Sequence, residues 1–455
     1  MPPVGRAAAA PPRSGRGVAT AGRVPRALGF PFILMLIWLT FEFARPHIPL
    51  RIPMIISAIS LGLWIMRKDK QWAPHTWWFL VFLGGIGLMI PFAANSFWAY
   101  QGLLAMSVLF ITIIFSLQSL VTTVKHVKVW AFTLVAVISY VAMFAMRNNG
   151  YGPAGSDGAQ DENYVAAMIG MAAPFAYYLC FVDRRWLVRV LLFAALAVFS
   201  AAMVAQDNVS RGGFLGLISV VLYCLWRSPR KLVGFTVIGV AAVVFALLAG
   251  ETYWAEIRTT TDLTDETADV RLEIWKMGFR MWQAYPILGV GANNFRWVLD
   301  DFTTTAQLMK FGRSLSGSLV AHSMHVELLA ELGLVGVVSS GMLAWSTWRG
   351  LGKVQRDTAK LRGTSPQVLE LKSLGMLADA LRASILAVMV NGIFLSLLYY
   401  SHIWLLIAVG SAVPFVYRRH LRALTSVQAP APPLPARVPP VRPPAPQPLP
   451  ATVIR

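Results

Sequence analysis

Charge is scarce in this 455-residue chain: 13% of its residues are Asp, Glu, Lys or Arg, while 56% are hydrophobic. So little charge, with a mean hydropathy of +0.58, excludes a water-soluble globular protein of this length. Cysteine is nearly absent, Cys180 and Cys224 alone, which excludes a disulfide scaffold and a cysteine-rich metal centre. Acidic residues are also few, 21 against 40 Lys and Arg, for a net charge of +19. In a soluble chain that excess would suggest nucleic acid, but here it sits in loops and tails and no recognition motif accompanies it, so no nucleic-acid partner is expected. An inverted internal repeat, which would point to a transporter, is missing too. The segment 1–27 is Ala/Pro/Gly/Arg without an apolar core, so no removable signal peptide is expected and the first apolar run reads as a retained anchor.

What is abundant is apolar sequence in runs long enough to cross about 30 Å of hydrocarbon as helices. They lie near 28–44, 50–66, 77–95, 98–121, 127–146, 163–182, 186–206, 210–226, 231–250, 322–347, 376–399 and 401–417. The expected fold is therefore all-α, a polytopic membrane protein of about 12 transmembrane helices in the lipid bilayer. Lys and Arg gather in alternate loops: Arg6 to Arg26, Arg67 to Lys70, Lys125 with Lys128, Arg184-Arg185, Arg227 to Lys231, Lys353 to Lys372, and Arg418-Arg419. By the positive-inside rule these are cytoplasmic, and so are both termini. The Pro-rich tail 421–455, like 1–27, is expected to be disordered.

The connection 251–321, between helices 1–9 in 28–250 and helices 10–12 in 322–420, is the longest, and the charge pattern assigns it to the side outside the cytoplasm. Arg271, Trp275, Gly278 and Trp282 share one helical face, and Pro286 with Gly289-Val290-Gly291 ends that helix. The face can lie on lipid, with its tryptophans at headgroup level, or contact a sugar or lipid substrate; Trp275 is a candidate substrate contact on the second reading.

Three side chains beside apolar runs fall on that same side: Arg211, Arg271 and His322. Ser210 is a good N-cap, and Gly212-Gly213 leave first-turn amides uncovered, which with the Arg211 guanidinium suits an anion. His322 and His325 open the helix after the large loop, but without further ligands they make no metal site, and no metal is expected. Asp161, Glu162 and Asn163 open another helix at this face and offer a general base or hydroxyl-orienting group. Glu327 and Glu331 are carboxylates inside a span, costly and usually functional, unless Glu327 still lies in the interface with inward hydrogen bonds.

The stretch from Arg271-Leu-Glu-Ile-Trp through Tyr285-Pro-Ile-Leu-Gly-Val-Gly-Ala-Asn-Asn-Phe295, and then Ala321-His322-Ser-Met-His325-Val-Glu-Leu-Leu-Ala-Glu331-Leu-Gly333-Leu-Val-Gly336, resembles the bacterial O-antigen ligase and O-antigen polymerase family. Ser-Arg-Gly at 210–212 resembles that family's earlier arginine motif. The resemblance covers about 130 residues, from Val209 to Gly336, with Ser323 where many relatives have Asn. It implies a GT-C-like glycosyltransferase of the inner membrane that takes an undecaprenyl-diphosphate-linked glycan as donor on the periplasmic side. It assigns Arg211 and Arg271 to the diphosphate and His322 to the reaction centre. Fixed cations and helix amides would stabilise charge developing on a diphosphate leaving group, and a histidine near neutral pKa could accept or orient the acceptor's proton. No cofactor is called for. Asn163, Asp161, Glu162, Ser210, Trp275 and His325 are the expected substrate contacts. The acceptor expected is a glycolipid such as lipid A core; a growing glycan or a protein hydroxyl is the alternative. A transporter or a non-catalytic envelope-assembly component is the reading from another class.

Overall fold

The structure is a computed structural model that describes residues 28–45, 52–154, 161–204, 210–228, 230–251, 254–255, 266–311, 315–317 and 319–428. The expectations for 1–27 and 429–455 lie outside the described residues. The chain is an all-α polytopic membrane protein. Its apolar helices are α1 (Phe30–Phe43), α2 (Ile52–Met66), α3 (Trp77–Met89), α4 (Ser96–Leu109), α5 (Val124–Arg147), α6 (Glu162–Val182), α7 (Trp186–Val204), α8 (Arg211–Arg227) and α9 (Lys231–Leu248). After the long connection, which contains α10 (Glu266–Ala284) and α11 (Thr305–Phe311), come α12 (Met324–Ala359), α13 (Pro366–Asn391) and α14 (Ser401–Gln428). Among the described residues seven helices are long and apolar enough to cross a membrane, and four more are shorter but apolar. With α4, which runs on through a π-helical stretch at Phe110–Leu117, there is one for each apolar run of the sequence.

Local chemistry sets where these helices start. Asn95, Thr123, Asp161, Ser210, Ser323 and Ser365 each accept a hydrogen bond from a first-turn amide of the helix that follows, satisfying donors that have no intrahelical partner. The last helices depart from the hydropathy pattern. α13 runs 366–391 where apolarity alone gives 376–399, because Asn391-Gly392 closes it and the apolar segment 393–400 is irregular backbone. α14 continues to Gln428, past the expected start of the tail at 421, since Leu421, Ala423 and Leu424 are good helix formers and the first proline comes only at 430.

The bundle is centred on α6, buried along nearly its whole length and packed by α5, α7, α8 and α13. A second apolar core forms between the long connection and the start of α12. Ile274, Met277 and Met281 of α10 meet Val290, Phe295 and Leu299 of the loop, and Val326 and Ala330 of α12. The described part of the long connection is therefore an ordered cap over one end of the bundle.

Candidate functional site

That capped end gathers the beginnings of α6, α8 and α12 and the end of α13. His322 sits just before α12 with φ of 47°, a left-handed conformation uncommon outside glycine that concentrates where function over-determines the backbone. The flanking residues hold it there. The Ala321 carbonyl accepts a hydrogen bond from Trp275 Nε1 at 3.0 Å, Ser323 caps α12 through Val326 N at 3.4 Å, and Met324 N donates to the carbonyls of Gly392 (2.8 Å) and Leu395 (2.7 Å). The imidazole is half-buried. Burial first, and then the Arg271 guanidinium, push its pKa below the usual histidine value, while Asp161 acts in the opposite sense. Residues from three distant segments thus share one electrostatic environment. Trp275 lies one turn after Arg271 on α10, so its bond to Ala321 brings the helix that carries Arg271 within electrostatic reach of the histidine.

Asp161 caps α6: its Oδ1 accepts from Asn163 N at 2.6 Å and Asn163 Nδ2 at 2.8 Å, and Glu162 Oε1 accepts from the same Nδ2 at 3.2 Å. The Asn163 amide is thereby fixed by its two neighbours. Ser210 caps Gly213 N at 3.0 Å, and a side chain added at Gly212 would press on Phe394. The first turn of α8, which carries Arg211, thus lies against the same 392–395 segment that holds Met324. His325 Nε2 meets the Met389 carbonyl at 3.0 Å, so its ring ties α12 to α13. The Arg271, Trp275 and Gly278 face of α10 packs on protein: Gly278 lies against Val326 and Phe295 with no room for a side chain.

The two glycine motifs are halves of one joint. α12 is interrupted at Gly333, whose φ of 56° and ψ of −153° are not helical. The interruption frees backbone groups, and the 286–291 turn takes them up: Val290 N bonds to Ala330 O (2.9 Å), Gly291 N to Glu331 O (3.0 Å), Leu334 N to Pro286 O (2.9 Å) and Val335 N to Ile287 O (3.0 Å). Irregular backbone inside a membrane protein persists where protein satisfies it in this way. Glu331 completes the joint, its carboxylate accepting from Asn293 N at 2.8 Å, Phe295 N at 2.9 Å and the Tyr399 hydroxyl. Its cost inside a span is thereby met by local hydrogen bonds. Glu327 is buried one turn earlier, and its Oε2 has no hydrogen-bond partner among the described residues.

Residues 207–339 match the family model described as O-antigen ligase. That stretch is similar to the O-antigen ligase family. No curated protein matches the chain. The matched stretch holds Arg211, α10, the turn at 286–291, His322 and the break in α12, so the family pattern coincides with the capped end of the bundle. The family is one of membrane enzymes that transfer glycans. Several residues that build this end were not singled out from the sequence. Tyr399, Leu395 and Phe394 sit in an apolar run that reads as a span, and Tyr164, whose hydroxyl donates to Ser396 O at 3.2 Å, lies inside another. The one signal was Asn391-Gly392, a helix stop within that apolar run. Among the described residues no three His, Cys, Asp or Glu side chains converge as metal ligands.

Proposed function

We propose that this protein transfers a glycan from undecaprenyl diphosphate to an acceptor hydroxyl, such as one on lipid A core, at the periplasmic face of the bacterial inner membrane. What supports this reading is the match of residues 207–339 to the O-antigen ligase model together with a strained, half-buried His322 that feels the charges of Arg271 and Asp161. In the reaction the acceptor oxygen attacks the anomeric carbon as the bond from that carbon to the diphosphate oxygen breaks. The electron pair of that bond leaves on the diphosphate. Arg271, Arg211 and the first-turn amides of α8 other than the capped Gly213 N stabilise the growing negative charge. His322, held neutral by burial and by Arg271, accepts the acceptor's proton or orients its hydroxyl. Asp161 balances the imidazolium that proton acceptance would create.

An apolar cleft of about 380 Å³ runs beside α8 between Phe199, Phe214, Ile218, Ile238 and Phe245, and it suits a polyprenyl tail whose diphosphate reaches the α8 N-terminus. The lysines and arginines of the alternate loops support a cytoplasmic location for the opposite end and for both termini. The deciding experiment is transfer in vitro with purified protein, an undecaprenyl-diphosphate-linked glycan and separate acceptors: lipid A core, the free glycan and a protein. Glycan appearing on lipid A core is the expected result. Elongated donor glycan instead would make the protein a polymerase, and transfer to none of the acceptors would overturn the reading.

A further inference from the structure

The opposite end of the bundle carries a second charged site that the transfer reaction does not use. A cavity of about 670 Å³ opens where α6, α8 and α12 end and α7, α9 and α13 begin, and five cations, Arg184, Arg189, Arg227, Arg230 and Lys372, line it against a single carboxylate, Asp379. That carboxylate is already engaged, accepting from Tyr223 Oη at 3.2 Å and Arg227 Nε at 3.4 Å. The nearby Asp183 is clamped by Arg185 (3.0 Å) and Lys128 (2.9 Å), which hold its carboxyl well below the usual range. Arg184 and Arg230 meet no carboxylate among the described residues. The cavity is therefore strongly positive, with its single lining carboxylate already engaged.

Its walls are mixed in character. Gln355, Thr358 and Ser373 offer neutral hydrogen-bonding groups, while Phe181, Phe193, Val233 and Met376 border it with apolar surface. A topology signal needs only cations in loops; it does not need them to converge on a concave site with hydroxyls and an apolar rim. Such a basic pocket between membrane helices matches an anionic headgroup whose acyl chains remain in the bilayer, and guanidinium groups grip phosphate oxygens bidentately.

We propose that this cavity binds the anionic phosphate group of a phospholipid, tying the ends of α6, α8 and α13 together on the face opposite His322. The inference is independent of the transfer reaction. The test titrates the full-length protein in detergent with dioleoyl phosphatidylglycerol, with zwitterionic dioleoyl phosphatidylcholine, and with inorganic phosphate, reading bound lipid by native mass spectrometry and the unfolding temperature. Phosphatidylglycerol is expected to occupy one preferred site, weakening with salt, and the double variant Arg184→Gln, Arg230→Gln to lose about tenfold or more in affinity. A variant with the same charge removed outside the cavity, Lys353→Gln with Lys360→Gln, should bind as wild type. Equal retention of phosphatidylcholine, or unchanged phosphatidylglycerol binding in the arginine variant with its fold intact, overturns the proposal. Saturable binding of inorganic phosphate without lipid retention would also overturn it, making the site one for a soluble phosphate.

Discussion

Replacing Gly333 by alanine tests the joint on which the whole capped end depends. The native φ of 56° with ψ of −153° is a region open in practice to glycine alone. An alanine Cβ there would stand 2.6 Å from the carbonyl carbon and oxygen of Ile287 and 2.8 Å from Gly289 N. These are backbone atoms that cannot swing aside. Relieving the clash means separating the 286–291 turn from α12, which forfeits four buried backbone hydrogen bonds at about 1 kcal/mol each, besides about 1–3 kcal/mol of backbone strain if the turn stays. A loss on the order of 4 kcal/mol is a large share of ordinary folding stability. The expected result is a markedly lower unfolding temperature in detergent, cleavage of the 285–300 turn under limited proteolysis, and no glycan transfer. Gly341→Ala, in the same helix with nothing within 4 Å of the added methyl, should be near neutral. If Gly333→Ala unfolds with the wild type and keeps the turn protected, the joint does not hold this end together.

Arg211→Ala and Arg271→Ala should each lower transfer about 30-fold or more, from about 2 kcal/mol per charge-assisted phosphate contact, with Lys restoring only part; membrane insertion, checked by matched expression, should be unchanged. His322→Ala should cost about 10²–10⁴-fold, and His325→Ala, which loses a bond to the Met389 carbonyl, should show chiefly as lowered stability; equal loss of activity in the two, together with sensitivity to EDTA, would instead indicate a metal site. Because His322 must be neutral to accept a proton and its pKa lies below the usual histidine value, kcat/KM should be flat at neutral pH and fall only as acid protonates the ring. Arg271→Gln removes the cation that disfavours the imidazolium and should move that acid limb to higher pH in the residual activity. Asp161→Asn should move it lower still. Limbs that coincide in all three proteins would place the titrating group elsewhere.

The helices and the membrane class were legible because hydropathy and capping residues are local signals. Ser210 announces a helix start by its own chemistry, and the structure uses it as a cap, as it does Asp161 and Ser323. The i, i+4, i+7 face of α10 was legible for the same reason, though not its partner: the face rests on Val326, Phe295 and Ala321, residues that no periodicity connects to it. Hydropathy misplaced α13 because 393–400 is as apolar as a span and yet is irregular. Its backbone serves α12 through the Met324 amide and α6 through the Tyr164 hydroxyl, and such long-range partners leave no local trace.

Glu331 shows how a residue that reads as functional can earn its place structurally. A carboxylate deep in an apolar helix suggests proton or ion chemistry when only its neighbours along the chain are known. Here both oxygens face backbone amides of the 293–295 turn, and Tyr399 adds a hydroxyl. Those amides follow directly on the 286–291 turn whose carbonyls cover the break at Gly333, two residues after the glutamate. The Pro-x-x-Gly-x-Gly and Glu-x-Gly motifs are therefore one device read twice. The break supplies unpaired groups, the turn pairs them, and the glutamate pins the remainder of the turn. What the joint accomplishes for the site is placement. It anchors the loop core of Val290, Phe295 and Leu299, on which Ile274, Met277 and Met281 of α10 rest. With α10 seated, Trp275 reaches Ala321 and the charge of Arg271 acts on His322.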